Sequence, residues 1–342
     1  MFLSAFTTKM AIYALARGFA GCHGLIVIGA IMTIFPLVYA LLADDMRQTL
    51  AHVLNNQLGF MVVGIGVGTE MAINGVAAQA FAHVIYKGLL FMALGAVLDQ
   101  VGTTKQTQLG GLSKWMPWTC AFGLVGALSV VPLNCGFVTK ALVLSAVAEE
   151  HLDYVWLTLI TGAVGAFLIA GIKVPYFTFF GEAKKFRDPV EEAPTNMLIA
   201  MGGSAAICLL IGVLPGLLYD RLPFKCDYHT YTVSHVVQQM QLLCFTTLAF
   251  VAAMRFGFYP STVGALLDFD WLYRRPMPHM VRWFKSATQR DVLADLVQQT
   301  TKHYDWMAEL CSEAGLLGRS VSTNAMAISA AILLAIYLLL YY

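Results

Sequence analysis

Apolar residues fill this chain in stretches long enough to cross a bilayer, and the polar positions fall between them in short clusters. A crossing helix needs about 20 mostly apolar residues to span roughly 30 Å of hydrocarbon. Nine stretches meet that requirement, at about 2–18, 22–43, 50–73, 77–98, 118–148, 154–180, 196–219, 235–254 and 324–342. The pattern predicts an all-α, polytopic transmembrane protein. The fifth stretch is too long for one straight helix and contains Val-Val-Pro-Leu-Asn-Cys-Gly-Phe at 130–137. Pro132 lacks an N–H, and Asn134 and Gly136 favour irregular backbone, so a helix broken inside the bilayer is expected there.

Between about 255 and 323 the chain turns polar, yet Leu293, Leu296, Val297, Thr300, Tyr304 and Met307 recur at helical spacing opposite Arg290, Asp291, Asp295, Lys302 and Asp305. That periodicity predicts an amphipathic helix, around 277–310, lying on a membrane face or along a neighbouring subunit. The expected organisation is a transmembrane domain over 1–254, an amphipathic face segment over 255–323 and a last crossing helix over 324–342.

Composition narrows the function classes. Of the 342 residues 58% are hydrophobic and 12% charged, and the mean hydropathy is +0.70. A soluble enzyme carries about twice that share of charge. Twenty-one Lys and Arg against 20 Asp and Glu leave a net charge of +1, without the basic excess that binding nucleic acid demands. The seven cysteines are scattered with no Cys-x-x-Cys pair, which predicts no disulfide framework, no metal site and no cofactor. No nucleophile with its base and no glycine-rich phosphate loop is visible, so an enzyme is not expected.

The short loops divide by charge. One side collects Arg47, Lys105, Lys114, Lys184, Lys185 and Arg187 together with the 255–323 segment, and the other holds Arg17, Arg221 and Lys225. Positive residues favour the cytoplasm, so the N-terminus is expected inside and the C-terminus outside. Residues 2–18 lack a basic start and a small-residue cleavage site, which predicts a retained helix rather than a cleaved leader.

Ionisable groups at bilayer depth cost roughly 2.5 kcal/mol or more each and are functional candidates by default. Lys9, Lys87 and Lys140 fall within predicted spans, and His83 precedes Lys87 by four residues, on the same helical face. Burial disfavours a charged amine, so a lysine there can alternate between protonated and neutral states and pass a proton to an adjacent imidazole. The alternative for Lys87 and His83 is a structural role, bonded to backbone or water. Lys140 follows the expected break by eight residues, and free backbone groups at a break can bind ions or order water. Lys9, flanked by Thr7 and Thr8, is near enough to the N-terminus to snorkel, and Lys173 is expected to snorkel from a helix end.

Every acidic residue of the spanning region falls at a span end or in a loop. Buried lysines without buried counter-ions are strongly unfavourable when charged. Either they rest neutral or another chain supplies the acids. Asn55, Asn56, Gln57 and Thr139 line a wet path or bond helix to helix, and the sequence leaves both open.

At Phe-Ala-His-Val-Ile-Tyr-Lys-Gly-Leu-Leu-Phe (81–91), Leu-Gly-Gly-Leu-Ser-Lys-Trp-Met-Pro (109–117) and Val-Val-Pro-Leu-Asn-Cys-Gly-Phe-Val-Thr-Lys (130–140), the sequence resembles the proton-conducting antiporter family. That family comprises the antiporter-like membrane subunits of complex I, the large subunits of Mrp-type Na+/H+ antiporters, and relatives in hydrogenase-linked and bicarbonate-accumulating complexes. Residues 43–61 resemble its Asp-Leu-Lys-Arg loop and following helix, and residues 6–17 its central-lysine helix. Residues 171–185 and 268–275 are similar to the Mrp D-type subunit. The resemblance places Met1 at the family's eighth helix, so most of the first of two inverted repeats is absent, with its glutamate and lysine. A split gene whose other product holds that repeat is the implied arrangement.

By this resemblance Lys9 is the lysine of the eighth helix, Lys87 and His83 form the central pair of the second repeat, and Lys140 is the terminal relay on the broken helix. A further histidine of some complex I members is Gln79 here. The implied function is a subunit of a multisubunit monovalent cation (Na+)/proton antiporter in a bacterial inner membrane, supplying the outward-leading proton half-channel. Implied partners are lipid, protons, monovalent cations and other membrane subunits, including one with the missing glutamate. The alternatives are a proton-translocating subunit of a complex I-like, hydrogenase-linked or bicarbonate-accumulating complex, and a non-conducting scaffold.

Overall fold

The computed structural model describes residues 6–182, 184, 186, 189–257 and 276–287, the last five of these by backbone alone. The chain divides into two units, Met1–Leu266 and Leu267–Tyr342. The first holds helices α1 (Thr8–Phe19), α2 (Gly24–Leu42), α3 (Met46–Val67), α4 (Glu70–Val101), α5 (Pro117–Ala127), α6 (Cys135–Glu149), α7 (Asp153–Ala166), α8 (Thr195–Val213), the short α9 (Gly216–Tyr219) and α10 (Val233–Arg255). In the second, α11 (Pro276–Ala287) is described, with Met277, Met280 and Val281 exposed on one face. The periodic positions 293–307 and the predicted span 324–342 lie outside the described residues.

Six described helices are long and apolar enough to cross a membrane: α2, α3, α4, the continuous helix Asp153–Phe180 that begins as α7, α8 and α10. Helix α4 has 32 residues, about 48 Å at 1.5 Å per residue, so it overshoots the hydrocarbon or tilts within it. Its ends are set by local chemistry: Thr69 caps the start by accepting from the Ala72 N–H, and Gly102, at φ 77°, supplies the left-handed turn that stops it. Asp45 caps α3 in the same way, accepting from the Arg47 and Gln48 amides. Beyond Ala166 the seventh helix widens into π-helical turns, Phe167–Lys173 and Tyr176–Phe180. Pro175 explains them, since it has no N–H and its ring crowds the carbonyl one turn back.

Helices α3 and α4 form the centre. Phe60, Met61, Ile65, Ala78, Ala82 and Leu89 are fully enclosed, whereas α1, α2, α8 and α10 turn apolar side chains such as Tyr13, Ile31, Ile199 and Phe245 outward. In a bilayer that outward surface meets lipid or other membrane helices. Small residues bring α2 and α3 together: a Cβ on Gly59 would lie 2.6 Å from the Thr33 amide nitrogen.

Inter-loop hydrogen bonds define two opposite ends. At one, Met46 N–H donates to the Thr104 carbonyl (2.9 Å) and Gln106 N–H to that of Asp44 (2.7 Å). There the Glu192 carboxylate also accepts from the Trp118 N–H (2.8 Å) and the Thr119 hydroxyl (2.6 Å), capping α5. At the other end Gly21 N–H donates to the Ile65 carbonyl (2.9 Å), and Asn74 exchanges two 3.0 Å bonds with the Phe224 backbone. Arg47, Lys105 and Lys114 therefore belong to the first end, and Arg221 and Lys225 to the second.

Candidate functional site: a buried lysine and histidine cluster beside a broken helix

The chain leaves helical geometry between Ala127 and Cys135, and the fold accounts for the backbone groups this frees. Asn134 does most of it. Its side-chain oxygen accepts from the Cys135 N–H (3.0 Å), starting α6, while its side-chain nitrogen donates to the carbonyls of Val125 (2.9 Å) and Leu128 (3.3 Å) at the end of α5. Phe137 N–H donates to the Ser129 carbonyl (3.1 Å) and the Gln239 side chain to that of Val130 (3.3 Å). The Leu133 N–H reaches the Tyr231 hydroxyl (3.2 Å). Gly136 is required because a Cβ there would meet the Ser129 carbonyl oxygen at 2.7 Å. Free backbone groups were expected at the break as ion or water ligands; these carbonyls instead have protein partners.

Lys140 follows one turn into α6 and is buried, its ammonium 5.5 Å from the centre of the Phe60 ring. On α4, Gln79, His83, Tyr86 and Lys87 recur at helical spacing and are all buried. Lys9, half-buried on α1, donates to the Thr8 hydroxyl at 3.2 Å. Lys87 and Lys140 border the same small cavity, and His83 lies one turn before Lys87 on α4. Neither ring nitrogen of His83 and not the Lys87 ammonium has a hydrogen-bond partner within the described residues. No Asp or Glu among the described residues is buried. Amines gathered without an acid repel one another's charge.

A hydrogen-bonded network lies against the cluster. Gln79 donates to the Gln57 side-chain oxygen (3.2 Å) and to the Tyr86 hydroxyl (3.1 Å), Tyr86 donates to Gln57 (3.3 Å), and the Thr139 hydroxyl donates to Gln79 (2.5 Å). His83 meets the Tyr86 ring edge-on at 5.2 Å between centres. The sequence left Asn55, Asn56, Gln57 and Thr139 open between wet path and helix packing. Asn55 points outward. Asn56 bonds α2 to α7 through the carbonyls of Thr33 and Gly162, a packing role, while Gln57 and Thr139 join the network. Gln79 and Tyr86, unassigned from sequence, are its hubs; their signal was spacing, three or four residues on either side of His83.

Two cavities meet at Lys140. The first, about 20 Å3 and so near the size of one water molecule, is bordered by Gln57, Tyr86, Lys87, Ser129 and Lys140. The second is a groove of about 800 Å3 between α6, α7 and α10, bordered by Lys140, Ser145, Trp156, His235 and Gln239 among others.

Lys173 departs from expectation. Its side chain does not snorkel: it is 1% exposed, and its ammonium donates to the carbonyls of Ala40 (3.0 Å), Leu41 (2.8 Å) and Ala43 (2.9 Å). These are orphan carbonyls at the end of α2, so Lys173 is a cap and a complement to the helix dipole.

Fold and interior together define a polytopic helical membrane protein with ionisable groups held inside it. Residues 1–167 match the family model described as "NADH:quinone oxidoreductase/Mrp antiporter, TM", the stretch that holds residues 81–91, 109–117 and 130–140. The chain is 30% identical over 217 residues to the D-type subunit of a Na(+)/H(+) antiporter of Alkalihalophilus pseudofirmus, covering 60% of this chain and 44% of the relative. It is 28% identical over 218 residues to hydrogenase-4 component B of Escherichia coli, covering 57% and 32%. The chain thus spans less than half the length of these relatives. Among solved structures, the Mrp complex from Dietzia sp. DQ12-45-1b aligns with a TM-score of 0.58 at 20% identity, over 63% of this chain and 50% of that one. The archaeal membrane-bound sulfane sulfur reductase aligns with a TM-score of 0.58 at 22% identity, over 92% and 55%. Both share the fold.

Proposed function

We propose that the chain supplies a proton half-channel to a multisubunit monovalent cation/proton antiporter, with Lys9, His83, Lys87 and Lys140 as the successive proton carriers. The observation that carries this is that Lys87 and Lys140 border one small cavity, with His83 one turn before Lys87 on α4 and no buried carboxylate among the described residues. Charged, such a cluster is costly; neutral and intermittently protonated, it is a relay. Lys140 is the joint, bordering both the interior cavity and the groove. The first relative named above belongs to a Na(+)/H(+) antiporter, which favours Na+ as the exchanged ion. Pro132, Asn134 and Gly136 serve the relay by ending α5 short of Lys140 and restarting the helix beneath it. The negative charge that offsets the lysines comes from a neighbouring membrane subunit of the complex. The end bearing Arg47, Lys105 and Lys114 faces the cytoplasm of an inner membrane, with the N-terminus inside and the C-terminus outside, so protons leave at the end of Arg221 and Lys225.

In the assembled complex, reconstituted in sealed vesicles, Lys87→Ala or Lys140→Ala abolishes cation-driven proton exchange while assembly persists. Normal exchange in either variant would overturn the proposal. Similarity to hydrogenase-4 component B favours a second possibility, the same half-channel driven by a redox arm. Copurification of the chain with a redox-cofactor protein, and proton movement that follows electron transfer instead of a cation gradient, would select it.

A further inference from the structure

The groove below Lys140 ends in side chains that the lysine and histidine cluster does not use. On α6, Lys140, Ala141, Leu144, Ser145 and Ala148 recur at helical spacing and form one wall. The α10 wall is polar where the helix begins, with His235, Gln238 and Gln239, and apolar further along. At the polar end the Ser145 hydroxyl lies 2.7 Å from the Tyr228 hydroxyl, which in turn lies 3.1 Å from Nδ1 of His235. A hydroxyl donates one hydrogen bond while accepting another, so these groups form an unbroken line for proton transfer. Burial pushes the Tyr228 phenol above its ordinary value, so it stays a neutral hydroxyl that hands protons on and stores none.

His235 is half-buried in the first turn of α10, its N–H held by the Thr232 hydroxyl at 3.3 Å. The titratable groups around it are Tyr228 against its ring and Lys140 across the groove, and Glu149 at the end of α6 acts on Tyr228. Among the described residues no carboxylate lines the groove. Histidine is the side-chain type suited to taking and releasing protons near neutral pH, and this one stands beside the loop that carries Arg221 and Lys225.

We infer that His235, reached through Ser145 and Tyr228, is the last proton acceptor of the half-channel. The Lys140 ammonium gives its proton to groove water, the hydroxyl line delivers one to Nδ1 of His235, and the imidazolium releases one to the bulk. Lys140 ends as a neutral amine, the imidazole is restored and one proton has crossed. This rests on Lys140 being a relay.

The test is proton release from sealed vesicles containing the assembled complex, driven by a cation gradient. His235→Ala slows release about a hundredfold, the lower end of what a positioned proton acceptor contributes, and imidazole added on the release side restores it. His235→Gln, which keeps a polar side chain and guards against misfolding in the alanine variant, behaves alike. Tyr228→Phe, which keeps the ring but cuts the line, slows release without rescue. Full-rate release in His235→Ala or His235→Gln overturns the inference, and so does slow release that imidazole leaves unchanged, since that marks packing. Lys140→Ala is inactive with or without imidazole. Full exchange in that variant would instead overturn the half-channel itself.

Discussion

The Thr139 hydroxyl donates to the side-chain oxygen of Gln79 and so ties the restarted half of the broken helix to the helix that carries His83 and Lys87. Lys140 is the residue after Thr139, and its placement against the interior cavity follows from that bond. Gln79 has spent its amide hydrogens on Gln57 and Tyr86, so each member orients the next. Gln79→Leu removes three bonds at once and leaves the Thr139 hydroxyl with only the Cys135 carbonyl as acceptor. Buried polar groups left unpaired cost about 1–3 kcal/mol each. Thermal unfolding in detergent shifts down, and proton exchange falls even in complex that remains assembled. Unchanged exchange in Gln79→Leu would remove the network from the mechanism.

Lys173 contrasts with the lysines proposed as carriers. Because its ammonium caps α2 through three carbonyls, Lys173→Met destabilises the fold by about 1–3 kcal/mol but leaves the exchange rate per assembled complex unchanged. The check is to measure assembled protein and exchange rate separately. Loss of rate at normal assembly would make Lys173 a carrier.

Asn134 performs two tasks with two atoms, which substitutions can separate. Asn134→Asp keeps the acceptor for the Cys135 N–H but loses the donor to Val125 and Leu128. Asn134→Ala loses both. The alanine variant falls further in thermal stability than the aspartate variant by about 1 kcal/mol, the worth of an N-cap. Equal losses would mean that the cap contributes nothing to restarting the helix.

Six of the nine expected spans, the break and the buried lysines were legible because each is a local property: apolar length, a proline with a small residue nearby, a cation among apolar neighbours. Lys173 was misread because only the fold shows that its π-helical segment turns it inward to the end of α2; from the sequence it is a lysine about ten residues from a basic loop. Asn55, Asn56 and Gln57 are adjacent and alike in sequence, yet one faces outward, one binds α2 to α7 and one joins the network. Helical rotation of about 100° per residue assigns those roles, and the sequence alone does not say which face meets which helix. The Ser145, Tyr228 and His235 line joins α6 to residues more than eighty positions away. Its local trace was the run of Gln238, Gln239 and Gln241 inside an apolar stretch.

The proposed relay requires water in the groove beyond Lys140, and thiol chemistry reads this directly. Maleimides react with thiolates, which form in water and not in hydrocarbon. Cys22 and Cys244 are exposed and are first replaced by Ser. Ala148→Cys and Ala141→Cys place thiols along the groove wall, and Ala127→Cys places one beside the interior cavity. A membrane-impermeant maleimide labels Ala148→Cys quickly from the end of Arg221 and Lys225, Ala141→Cys more slowly, and Ala127→Cys hardly at all. Labelling slows exchange only where the reagent stands between Lys140 and His235. Labelling of Ala148→Cys solely from the cytoplasmic side would reverse the orientation, and no labelling at either groove position would mean that lipid or a partner helix fills the groove and that the proposed path beyond Lys140 is wrong.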